Sequence, residues 1–227
     1  MPENRFPSAL KRTAAAGTLL LAAASAAVIT TTTDRDADQG PRTVDDVPCM
    51  RYLQPEHIYR AGGDTFATDP QGRPADALSK ALRSTRGART GCEGTVGNWA
   101  GSGDWNGGHL IAASFGGVGQ RYNLVPMNGR QINQGLMKRI EDSARACLES
   151  HGSVSAYRVR LHYPDARSII PDTITMTMTS SLSGTSRRLS FTLPNKAIPK
   201  DEVESRESAI DKEFEAAGCR EVSAGRR

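Results

Sequence analysis

In the stretch GDWNGGHLIAASFGG, Gly103 to Gly117, one imidazole, that of His109, stands between a pair of glycines and an apolar run. Asn123 opens NLVPMN a little farther on, and INQGLMKRIE carries Asn133 and, eight residues later, Glu141. An asparagine carbonyl oxygen is a hard, neutral ligand suited to Mg2+, which keeps several of its waters and takes few protein ligands. A nearby carboxylate can accept hydrogen bonds from such waters, and an unliganded imidazole beside the ion can act as a general base. Base, metal ligand and electrostatic partner are the groups that phosphodiester hydrolysis requires. The glycines before His109 read as room for close backbone approach by a large substrate.

These groups need elements to position them. HLIAASF reads as a buried strand that ends in a Gly-Gly turn, giving the imidazole a rigid base. NLVPM reads as a second short strand, and its Pro126 argues against a central place in a sheet. QINQGLMKRIEDSARACLES is the strongest helix in the chain: Ile132, Leu136, Ile140, Ala144 and Leu148 recur every four residues. Asn133, Met137, Glu141 and Arg145 form the neighbouring stripe. Before this region, Cys49 to Trp99 reads as loop-rich, with a turn in TDPQGRPADAL between irregular or short strand segments. After it, the pattern changes to period two in VSAYRVRLHY, TITMTMT and RRLSFTL, predicting three antiparallel strands. PKDEVESRESAIDKEFEAAGC predicts a C-terminal helix with Pro199 and early acids at its start and Gly218 at its end. Helices and strands mix without βαβ regularity, so the fold class is α+β.

The chain has 227 residues and a formal net charge of +4. Residues 1–27 combine Arg5, Lys11 and Arg12 with an uncharged Ala-rich run, the pattern of a secretory signal peptide. Residues 28–47 read as a disordered linker, 48–220 as one domain, and 221–227 as a disordered tail. Without the first 27 residues the basic excess falls to about two, too little to hold nucleic acid by bulk charge, so any such binding must come from local arrangement. Cys49, Cys92, Cys147 and Cys219 fit an exported protein with two disulfides. Three pairings are open, and joining sequence neighbours favours Cys49–Cys92 with Cys147–Cys219. The expected location is extracellular, with no stable membrane association after signal cleavage.

The run from Gly107 to Glu141, GGHLIAASFGGVGQRYNLVPMNGRQINQGLMKRIE, resembles the DNA/RNA non-specific endonuclease family of ββα-metal (His-Me finger) nucleases. TDPQGRP upstream and YRVRLHYP to FTLPN downstream are similar to secreted and toxin-type members. The resemblance implies a ββα-metal core with an additional antiparallel sheet and a C-terminal helix. It implies His109 as the base that activates water, Asn133 as the direct Mg2+ ligand (with Mn2+ as a substitute), and Glu141 as the acid that organises the ion's water shell. Asn123 would support the catalytic site, and Arg145, one turn past Glu141, would lie near the scissile phosphate or pair with the glutamate. DNA, RNA or both would be the partners, with an inhibitor or immunity protein as a further one.

One departure stands out. Many members read Asp-Arg-Gly-His where this chain has Asn106, Gly107, Gly108 and His109, so the motif arginine is missing. Asp104 is a candidate for a displaced acid. Arg121, Arg130, Arg86 and Arg89 are unranked candidates for the cation, Arg121 being carried as substrate-binding together with Arg145. The missing arginine keeps two other readings open: an inert nucleic-acid-binding module on the nuclease scaffold, and a disulfide-stapled structural domain. His57, His151 and His162 read as structural or solvated, and Trp99 and Trp105 as base-stacking or packing residues.

Overall fold

The computed structural model describes residues 44–85 and 91–219. The signal-peptide and tail assignments, most of the linker, Arg86 and Arg89 fall outside those residues. Residues 44–47, expected in the linker, already belong to the folded unit. Val44 bridges Ala61, Asp45 N–H donates to the Arg60 carbonyl, and Val47 N–H donates to Gln120 Oε1.

The fold is α+β with antiparallel sheets. Among the described residues three strands come before the first helix: β1 (Ile58–Ala61), β2 (Asp64–Thr68) and β3 (Pro74–Ala81). They occupy the loop-rich stretch, as the short-strand alternative around the TDPQGRPADAL turn expects, with more regular pairing than a loop-rich reading implies. Three more strands come late: β6 (Ser153–His162), β7 (Thr173–Leu182) and β8 (Thr185–Pro194). Together they form one sheet in the order β1-β2-β3-β6-β7-β8, every neighbouring pair antiparallel. The period-two pattern places these late strands well. In β7, Ile174, Met176 and Met178 are buried, while Thr173, Thr175, Thr177 and Thr179 alternate away from the core. In β6 the alternation slips between Val154 and Val159, where a bulge interrupts pairing between Ser155 and Arg158. Ala156 takes a φ of 49° there, and Tyr157 turns inward. A bulge of one extra residue changes which face the following side chains meet.

Between the two halves of the sheet lie α1 (Cys92–Asn98), the strand pair β4 (Trp105–His109) and β5 (Leu124–Asn128), and a long helix. Strand β4 leads up to His109 instead of following it, so HLIAASF is not the strand. Leu110 and Ile111 are buried and the chain then makes a short 3-10 turn, Ala113–Phe115. β4 and β5 pair only with each other, with Gly107 opposite Pro126, which tolerates the proline as expected. The long helix is two helices in one: residues Gly129–Met137 wind as a π-helix, and α2 (Lys138–Glu149) continues as an α-helix.

The core lies between the large sheet and these elements. Ile132, Leu136, Ile140 and Ala144 are fully buried along the helix and join Leu110, Val125, Tyr157, Val159 and Met176 in one cluster. The last helix, α3 (Lys200–Ala216), buries Ile210 and Phe214, with Phe214 stacked on Phe191 of β8 at 5.8 Å. Pro199 precedes α3, and Gly218 follows it at φ 79°, as the sequence pattern leads one to expect.

The disulfides are Cys49–Cys92 and Cys147–Cys219, the favoured pairing. The second joins α2 to the residue just beyond α3, and Arg139 pairs with Asp211 across the same two helices. Closing a loop of 72 residues removes entropy from the unfolded chain. Replacing Cys147 and Cys219 together by alanine is expected to lower unfolding free energy by about 2–4 kcal/mol in urea titrations.

Candidate active site

His109 ends β4, Asn133 lies in the π-helical segment, and Glu141 lies in the first turn of α2. All three line one cleft of about 510 Å3. Lys138 and Arg145 line it from α2, and Glu93 lines it from α1. Three of the expected residues, far apart along the chain, thus meet on a single wall-and-floor arrangement with Arg145 beside them.

The segment that carries His109 is held from behind. Asn123 is fully buried, and its side chain both accepts from Ile111 N–H (2.8 Å) and donates to the carbonyls of Ile111 (2.9 Å) and Val118 (2.8 Å). The backbone adds Leu110 N–H to the Asn123 carbonyl at 2.9 Å, and the Tyr157 hydroxyl donates to the Leu110 carbonyl at 3.2 Å. Asn123 therefore fixes the chain just after the imidazole. It does not line the cleft, so it acts on the site through backbone, not by touching a substrate.

Glycines 107 and 108 also serve packing. A Cβ on Gly107 would sit 2.2 Å from the Glu93 carbonyl oxygen, and one on Gly108 would sit 2.6 Å from the Met127 methyl carbon. On the other side of the contact, a Cβ on Gly97 would meet the Asn106 carbonyl carbon at 2.9 Å. The close approach expected from a substrate is made by helix α1 and by Met127. The glycine pair makes β4 thin enough for α1 to lie directly on it.

On the cleft wall Asn106 accepts a hydrogen bond on Oδ1 from Asn133 Nδ2 at 3.2 Å. That bond spends an amide donor and leaves the Asn133 carbonyl oxygen as the atom to offer a cation. The Glu141 carboxyl is pushed up to about 8, first by burial and then by neighbouring Asp142, against the opposing pull of Lys138 and Arg145. A carboxyl so placed is an acid that a cation would ionise. Among the described residues no three His, Cys, Asp or Glu side chains cluster as a cage. An asparagine oxygen with one outer carboxylate instead suits an ion that retains most of its water, so the residues present fit Mg2+.

The cationic groups sort cleanly. Arg121 is fully buried, and its guanidinium donates to the backbone carbonyls of Met50, Arg51 and Leu124 while lying over the Trp99 ring. Burial lowers it to about 10. It is a structural arginine that joins the N-terminal loop to β5, which corrects the expectation that it meets substrate. Arg130 is exposed and does not line the cleft; its backbone N–H donates to Asp104 Oδ2 at 2.8 Å, so Asp104 caps the π-helical segment and also lies off the cleft lining. Arg145 pairs with Asp142, and its buried Nε has no hydrogen-bond partner among the described residues. Lys138 also pairs with Asp142. His57, His151 and His162 lie off the cleft; His57 packs on Tyr59, and His162 pairs with Asp172. Trp99 is a packing residue over Arg121, whereas Trp105 lines the cleft.

Three cleft residues escaped the sequence reading. Lys138 sits one turn from Glu141 and was visible as a neighbour on the helix. Asn106 occupies the position where the motif departs, so its type was noted without its role. Glu93 had only its place beside Cys92 to mark it, and its Oε1 lies 3.6 Å from His109 Nε2.

The sequence profile of the DNA/RNA non-specific endonucleases matches residues 55–181, more than half of the chain. No curated protein matches it. Among solved structures it is similar to NucA from Streptococcus agalactiae with no metal bound, at 18% identity and a TM-score of 0.46, over 62% of this chain and 72% of that one. The magnesium-bound form of that protein gives 16% identity and a TM-score of 0.46, over 62% and 74%.

The raised Glu141 carboxyl has a consequence for stability. Its folded value lies above the ordinary carboxyl value of 4.5, so the folded state holds a proton that the unfolded chain has released. The contribution is fully present below about pH 4.5 and is lost as pH rises through about 8. Urea unfolding in EDTA is therefore expected to show this loss in the wild type and a flatter pH dependence in Glu141→Gln.

Proposed function

Since the chain belongs to the DNA/RNA non-specific endonuclease family, we propose that it hydrolyses phosphodiester bonds of DNA, RNA or both in a reaction that depends on Mg2+. The observation that carries this reading is the meeting of His109, Asn133 and Glu141 on one cleft. On this reading the β4–β5 pair and the following helix form the ββα-metal core. His109 in its neutral form takes the proton of the attacking water. Asn133 would hold the ion through its amide oxygen, and Glu141 would accept hydrogen bonds from the ion's waters. When bound, Mg2+ supplies Lewis-acid stabilisation of phosphate and leaving-oxygen charge. Lys138 and Arg145 give the cleft two cations for the substrate phosphate, and the unpartnered Nε makes Arg145 the stronger candidate for the cation missing from the motif.

Contacts of this kind address phosphate and sugar instead of base edges, which is the physical basis of cutting without sequence preference. The two disulfides support an exported, extracellular protein. In that setting residues 1–27 act as the signal peptide.

Supercoiled plasmid and a structured RNA, incubated with oxidised protein at millimolar Mg2+, test the proposal. Cleavage is expected, and EDTA should abolish it. His109→Ala and Asn133→Ala should each lose roughly 10²–10⁴-fold in rate with the fold intact. The wild-type rate should rise with pH as the His109 ring loses its proton, because only the neutral imidazole can accept the proton of the attacking water. Intact plasmid and RNA after prolonged incubation with oxidised, Mg2+-supplied protein would overturn the reading.

A further inference from the structure

We propose that Glu93 is the positioning residue of His109, fixing the ring's tautomer and stabilising the imidazolium formed when it takes a proton. The inference rests on the reading of His109 as the base, and adds a carboxylate that neither the motif nor the family match assigns. Its support is geometric. Glu93 Oε1 lies 3.6 Å from His109 Nε2, and that nitrogen is buried. The two side chains retain only 18% and 14% of their exposure, so water screens the pair less than it would at the surface.

The carboxylate is also held in place. Glu93 follows Cys92, whose disulfide to Cys49 anchors the first residue of α1. Its main chain lies against Gly107, two residues before His109, so closely that a Cβ there would stand 2.7 Å from the Glu93 Cα. Gly97, about one turn farther along α1, repeats the contact against Asn106 and Gly107. Helix and strand are thereby fixed to one another at Glu93 and at the residues just before His109.

An ionised carboxylate only accepts hydrogen bonds. It therefore favours the tautomer with its proton on Nε2 and leaves the basic lone pair on Nδ1. The proton of the attacking water passes to Nδ1, and the resulting imidazolium, protonated on both nitrogens, faces the Glu93 charge. Among the described residues, the other charged groups on this cleft come from α2: Lys138, Glu141, Asp142 and Arg145, with Asp142 engaged by both Lys138 and Arg145. Strand β5 places Leu124 opposite His109 and adds no charge.

The test uses Glu93→Gln, which keeps shape and removes charge, with Glu93→Asp as a charge-retaining control. Long-range proton–nitrogen NMR of the metal-free protein, with His109 assigned by difference against His109→Asn, reads the tautomer and titration of the ring directly. The wild-type neutral ring should be the Nε2–H form. Glu93→Gln should lower its pKa by about one unit, with Glu93→Asp closer to wild type. In plasmid or oligonucleotide kinetics at millimolar Mg2+, Glu93→Gln should lose at least about tenfold in kcat with KM within about twofold, and its rising pH limb should move to lower pH. An imidazole that titrates as in wild type overturns the proposal whatever the activity does. A shifted imidazole with unchanged kcat overturns its catalytic part. If the wild type itself cuts nothing, the nuclease reading fails, while the NMR titration still decides whether Glu93 governs His109.

Discussion

The polar geometry of the cleft depends on an apolar contact. Ile132, Leu136, Ile140 and Ala144 are all buried against the sheet, and that seam decides which side of the helix faces His109. Their spacing is four residues at every step. On an α-helix of 3.6 residues per turn each such step overshoots by about 40°, so the row would drift around the helix. The π-helical turn over residues 129–137 is wider, so the step from Ile132 to Leu136 falls short of a full turn and offsets the overshoot that follows in α2. The seam then stays on the sheet, and Asn133 and Glu141 stay on the cleft. Short π segments tend to occur at functional sites, and here the winding has a mechanical reason to be there.

That spacing was in plain view in the sequence. The repeated four in that row predicts a helix but does not by itself reveal a change of winding, because Met137 and Cys147 add the steps of three that an ordinary α-helix also shows. The late strands were legible for the opposite reason: threonine–methionine alternation in 173–179 has no other structural interpretation. Even the bulge in β6 was visible as a slip from Val154 and Ala156 to Val159 and Leu161. The early strands were hidden by their punctuation. Ala61-Gly62-Gly63-Asp64 and Asp69-Pro70-Gln71-Gly72 are turns so close together that the four- and five-residue strands beside them look like loop.

Helix α1 was illegible because little in its own residues favours a helix. CEGTVGN holds two glycines and a threonine, each unfavourable in a helix interior. What keeps it helical comes from outside: a disulfide at its first residue and the Gly107–Gly108 stretch of β4 to lie upon. Burial of Arg121 was equally out of reach, since an arginine looks the same in sequence whether it meets a phosphate or three backbone carbonyls. By contrast, the convergence of His109, Asn133 and Glu141 needed only the order strand, strand, helix, which the sequence did carry.

The glycine at position 107 also explains the missing guanidinium. A Cβ there would already overlap the Glu93 carbonyl, so a long cationic side chain and helix α1 cannot occupy that face of the strand together. The motif's arginine is therefore not simply lost. Its room has been taken by a helix that brings the Glu93 carboxylate to within 3.6 Å of the imidazole. In this fold, restoring the consensus arginine would be an act of demolition, displacing a helix before it could supply a charge.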